Sequence, residues 1–172
     1  MTGRRGGVTF LIDPASSPGA LRAAWDAYSA YLATVQDRMP PGAWAFAVAP
    51  WHYDAQDPRC PHDGWVESLT IREAARGERS EQRRVEIALD LLGAYHDGHL
   101  RLRYQGVHSY ALRWPGRSRN HTELGHEDWR VDEVRLSDHG RALHEVHFET
   151  AVWLVECADI EVAWHPVAAT QA

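Results

Sequence analysis

Lysine is absent from this chain: all 18 basic residues are arginine, set against 24 acidic residues for a formal charge of −6. That balance opposes a role on nucleic acid, which needs positive charge gathered on one face; the basic clusters here are small, such as Arg4-Arg5, Arg83-Arg84 and Arg101 with Arg103. Cysteine is scarce as well. Cys60 and Cys157 stand far apart, in no zinc-ribbon or redox spacing and with no disulfide framework, so a reducing compartment is expected. Long apolar runs are missing: Ala43 to Trp51, the longest mostly apolar stretch, is far short of a membrane span, and residues 1–7 lack a signal-peptide core. The expectation is a cytoplasmic protein with no membrane role, in which the sequon Asn120-His121-Thr122 is accidental.

What the chain does have is ordinary globular material. With 172 residues, 44% of them hydrophobic, it fits one domain spanning 1–172, with residues 1–7 and 167–172 as flexible ends. Eight Trp, six Tyr and three Phe supply large apolar surfaces for its core.

The pattern reads as an α+β fold, mainly an antiparallel sheet of hairpins that could curl into a barrel, with one N-terminal amphipathic helix. Val8 to Ile12 reads as a short strand closed by Asp13-Pro14. Ser17 can cap the helix, Pro18 suits its first turn, and Leu21, Trp25, Tyr28, Leu32 and Val35 recur at helical spacing until Met39-Pro40-Pro41-Gly42. Ala43 to Ala49 reads as a buried strand, His52 to Gly64 as a polar loop, Trp65 to Ile71 as a strand, and Pro115 to Asp128 as a long polar loop.

Two hairpins carry registers. A type I′ turn at Asp97-Gly98 would set His96 opposite His99 and Leu91 opposite Tyr104, with Leu89, Ile87 and Val85 on the apolar face. The wet face would carry Glu86, Asp90, Arg101 and Arg103. A three-residue loop at Asp138-His139-Gly140 would set Leu136 opposite Ala142, Val134 opposite His144, Asp132 opposite Val146 and Glu133 opposite Glu145. Val152 to Cys157 and Ile160 to Trp164 read as two more strands.

Candidate chemistry follows from these placements. Asp132 and His144 fall on an otherwise apolar face, where neither is cheap to bury alone, so they should form a buried polar pair. A carboxylate orienting an imidazole is half of a triad, but no nucleophile motif completes it, and no catalytic residue is assigned. On the other face Glu133, Glu145, His147 and Glu149 make an acidic patch: Arg135 and water could screen the like-charged pair, a basic partner could dock there, or a cation could sit between Glu133, Glu145 and His147. His96 with His99, the group His52, Cys60, His62 and Asp63, and the stretch His121, Glu123, His126, Glu127 and Asp128 contain ligand types without metal-site spacing, so no metal or cofactor is assigned.

Three segments resemble bacterial polymorphic-toxin immunity proteins: His62-Asp63-Gly64-Trp65-Val66-Glu67-Ser68-Leu69-Thr70-Ile71, Leu100-Arg101-Leu102-Arg103-Tyr104-Gln105-Gly106-Val107, and Val155-Glu156-Cys157-Ala158-Asp159-Ile160. The loop at 115–128 departs from that pattern. The resemblance covers residues 62–164 and implies a cytoplasmic α+β protein that neutralises a cognate toxin by binding it, without catalysis or cofactor. The expected function is accordingly a non-catalytic protein-binding protein whose acidic sheet face holds a basic partner such as a toxin. The alternative is a His-rich metal-dependent enzyme or small-molecule binder using loops 52–63 and 115–128, or a pocket lined by Trp25, Tyr28, Trp44 and Trp65. The oligomeric state is left open.

Overall fold

The computed structural model describes residues 8–12, 17–116 and 125–167. Among these residues two helices, α1 (Pro18–Val35) and α2 (Pro41–Ala47), precede eight strands. These are β1 (Trp65–Arg76), β2 (Gln82–Leu92), β3 (Gly98–Val107), β4 (Ser109–Arg113), β5 (Trp129–Leu136), β6 (Ala142–Phe148), β7 (Val152–Cys157) and β8 (Asp159–Pro166). They form two antiparallel sheets of order β1-β2-β3-β8 and β4-β7-β6-β5, and the sheets do not close into a barrel. Their inner faces share one apolar core, in which Ile87, Leu89, Leu91, Leu100 and Leu102 of the first sheet join Val134, Val146, Trp153 and Val155 of the second.

Helix α1 begins where its sequence signals place it. The Ser17 hydroxyl accepts from Ala20 N at 3.2 Å, Pro18 fills the first turn, and Tyr28, Leu32 and Val35 are buried. The stretch Ala43–Ala49, expected as a strand, is instead mostly α2. A short apolar run cannot separate the two by periodicity, and the deciding partner is remote: the Asp159 carboxylate accepts from Gly42 N at 3.1 Å and Ala43 N at 2.8 Å, satisfying main-chain donors of the first turn.

The hairpin at 137–141 keeps its expected register, with Leu136 opposite Ala142, Glu133 opposite Glu145 and Gly140 at φ 69°. The β2–β3 hairpin does not. His99 faces Leu92 rather than His96, so the connection is a longer turn in which Gly93 N donates to Gly98 O and His96, not Gly98, takes positive φ. A Cβ on Gly98 would lie 2.2 Å from the Trp164 ring, so β8 packing, absent from any local reading, selects this turn. The slip is an even number of residues, which is why Leu89, Leu91, Leu100 and Leu102 still share the inner face.

Residues Val8 to Ile12, expected as a strand, form a bent strap instead. Phe10 N and Leu11 N donate to the Glu133 carboxylate at 2.9 and 2.8 Å, so these donors are spent on a side chain rather than on a ladder. The Asp13-Pro14 stop and the tails 1–7 and 168–172 lie outside the described residues, whereas Val167 N, in the expected flexible end, donates to Asp97 O at 2.8 Å.

Candidate functional site

The most concentrated polar chemistry sits in the core. Asp132 on β5 and His144 on β6, expected as a pair, lie 2.9 Å apart through His144 Nε2 and are both buried. The other partners of Asp132 carry no local sequence signature. His52, expected on an open loop, is fully buried and places Nε2 2.9 Å from Asp132, while the Trp129 indole N–H donates to the same carboxylate at 3.0 Å.

Hydrogen-bond logic sets the protons. His52 Nδ1 faces the Phe46 carbonyl at 2.9 Å, and a carbonyl only accepts, so Nδ1 carries a proton. Burial pushes the Asp132 carboxyl up, but the His52 charge and the hydrogen bonds from His144 and His52 outweigh it and hold Asp132 far below the usual carboxylate range. Asp132 is therefore held as the carboxylate, the acceptor on which His52, His144 and the Trp129 indole converge. His144 needs only its Nε2 proton, because the Tyr104 hydroxyl, 2.9 Å from Nδ1, can donate to it. A continuous polar chain runs from Tyr104 to the Phe46 carbonyl. All its titrating members are sealed from water, so it can hold protons and orient strands but cannot meet a substrate in this conformation.

The expected acidic patch is corrected in one central respect. Glu133 is 0% exposed: the strap covers it, and the Arg135 guanidinium lies 3.1 Å from its carboxylate while also pairing with Glu145. Glu145 stays partly exposed and contacts His147 at 3.1 Å, and Glu149 meets Arg130 at 3.4 Å. Arg135 thus supplies the cation that the paired glutamates require, and the strap occupies the ground where Glu133 was expected to receive a partner.

The loop candidates disperse. Cys60 points its thiol at the His52 carbonyl, 3.2 Å away, and burial pushes that thiol up to about 11, which disfavours the thiolate that zinc requires. His62 pairs with Asp63 at 3.1 Å, outside the core that holds His52. His121 and Glu123 lie outside the described residues, and His126 packs its ring on Trp153. His96 and His99 are not opposite each other. Trp25, Tyr28 and Trp44 do line one groove between α1 and α2, but Trp65 does not reach it.

Two further open surfaces lie on the β1-β2-β3-β8 sheet of the described residues. The outer face of β1-β2-β3-β8 holds a shallow depression lined by Glu67, Ser68, Asp90, His99, Arg101 and His165. There Arg101 pairs with Asp90 at 2.5 Å and His99 with Glu67 at 2.7 Å. The second is the free edge of β1, twelve residues long with Trp65 and Ile71 exposed. Alternation in the sequence placed Asp90 and Arg101 on the wet face, but their neighbours Glu67 and His165 come from strands whose pairing no local pattern encodes. Among the described residues no helix is long and apolar enough to cross a membrane. No family model, curated protein or solved structure matches the chain.

Proposed function

We propose that this is a non-catalytic protein-binding protein that takes its partner along the open β1 edge and the adjoining outer sheet face. The observation that carries this reading is the contrast between two sheet edges. The outer groups of β5 are occupied: the Tyr28 hydroxyl accepts from Val134 N at 2.9 Å and donates to Val134 O at 3.0 Å, and the Tyr31 hydroxyl accepts from Leu136 N at 2.7 Å. Nothing among the described residues does the same for β1, whose ladder with β2 runs on to Arg76 opposite Gln82, past the last β2–β3 pair at Val85 and Val107. An exposed edge of this length is a template for strand addition, with main-chain bonds giving affinity and alternate side chains giving selectivity.

The net charge of −6 favours a basic partner through long-range steering, and the resemblance of residues 62–164 to immunity proteins points to a toxin as that partner. The test is hydrogen exchange on the complex with the product of the neighbouring reading frame. Protection centred on residues 66–76, lost together with affinity in Arg72→Glu, supports the reading. Failure of the two proteins to associate, or protection centred on the α1–α2 groove, overturns it.

A further inference from the structure

We infer that His108, His139 and Glu156 form a binding site for a divalent first-row transition ion of the zinc class. The three come from segments far apart in sequence: the link between β3 and β4, the β5–β6 turn, and β7. One ligand atom from each lies within 4.8 Å of the others. Around a tetrahedral ion with bonds of about 2.0–2.1 Å, ligand atoms sit about 3.3 Å apart, so small side-chain rotations close the set. Two imidazoles and one carboxylate suit zinc and its neighbours, and three protein ligands leave a coordination position for water.

The carboxylate is held in place and the imidazoles are accessible. Glu156 is largely buried, and Ser109 Oγ donates to its Oε2 at 3.3 Å, leaving Oε1 to face His139 Nδ1 at 2.9 Å. His108 N donates to the Glu156 carbonyl at 2.7 Å, so main chain as well as side chain joins these two residues. Gly140, at φ 69°, shapes the turn that presents His139. Both histidines are exposed, with their rings 5.3 Å apart and edge-on. A carboxylate that accepts from His139 is already in ligand form; the ion would displace the Nδ1 proton and take its place. Among the described residues the other histidine–acid contacts of the surface, His62 with Asp63, His99 with Glu67 and His147 with Glu145, do not gather a third ligand atom within this spacing.

Calorimetric titration of the metal-free protein with zinc chloride tests this, alongside cobalt absorption spectra and thermal melts with and without zinc. One saturable zinc per chain is expected, with visible cobalt bands of a low-symmetry site and a zinc-dependent rise in Tm. His108→Ala and His139→Ala should each weaken zinc by about 100-fold or more, whereas His99→Ala should not change it. Both histidines are exposed, so the variants should fold, and circular dichroism checks this. Absence of saturable binding, binding unchanged in either ligand variant, or equal affinity for magnesium overturns the assignment.

Discussion

Tyr104 Oη lies 2.9 Å from His144 Nδ1, a hydrogen bond that crosses from β3 of one sheet to β6 of the other. It is the first link of the chain through Asp132 and His52 to the Phe46 carbonyl, which ties both sheets to α2. Apolar packing tolerates small slides between sheets; a directional contact at this depth does not. Tyr104→Phe keeps the ring and its packing but leaves His144 Nδ1 buried without a donor. The variant should lose about 1–3 kcal/mol of stability, read from the urea midpoint at unchanged slope.

Asp132→Asn should cost more. The substitution preserves shape yet removes the charge on which His52 Nε2, His144 Nε2 and the Trp129 indole N–H converge, and removing one partner of a buried ionic cluster costs about 3–5 kcal/mol. The pH dependence has a definite sign. Folding lowers the Asp132 pKa, so its stabilisation is complete above the ordinary carboxylate value of about 4 and drains away as pH falls below it. Asp90, Glu145 and Glu156 are also held low and add to the acid slope. Thermal melts from neutral pH down through the carboxylate range should show a steep fall in the parent protein and a shallower one in Asp132→Asn.

Legibility in the sequence tracked how local each determinant is. The Gly140 hairpin was readable because its turn chemistry and the alternation of both strands agree, and that register brought Asp132 to the face of His144 and Glu133 opposite Glu145. The Asp97-Gly98 turn had equally good local chemistry, but Trp164, far along the chain, overrides it by packing on Gly98. His52 and Asp159 act the same way: each finds its partner only after folding, His52 in Asp132 and Asp159 in the α2 N-terminus. The acidic patch departs from expectation for a related reason. Period-two alternation assigns Glu133 to a face, but it cannot say that residues 8–12 cover that face.

Gly98→Ala isolates the long-range part of that turn. Gly98 has no positive φ, so alanine meets no backbone strain there, and the nearest obstacle is the indole that its Cβ would enter. Overpacking of this kind costs about 1–3 kcal/mol. A Trp164→Leu background, which removes the ring, should recover most of the loss in a double-mutant cycle of urea denaturation; additive losses would show that the turn is selected by something else.

The sealed β5 edge makes a separable claim about association. One hydroxyl serves both Val134 main-chain groups, so Tyr28→Phe unsatisfies a buried donor and acceptor together, while Tyr31→Phe exposes only Leu136 N. Stability should fall in both, by about 1–3 kcal/mol for Tyr28→Phe and less for Tyr31→Phe. Stability alone does not distinguish edge protection from ordinary core support, but exchange and self-association do. If the tyrosines guard the edge, amide exchange at Val134 and Leu136 should accelerate before global unfolding, and the double variant should form concentration-dependent dimers in light scattering. Faster exchange with a strictly monomeric double variant would mean that α1 itself, rather than its hydroxyls, keeps other strands away from β5.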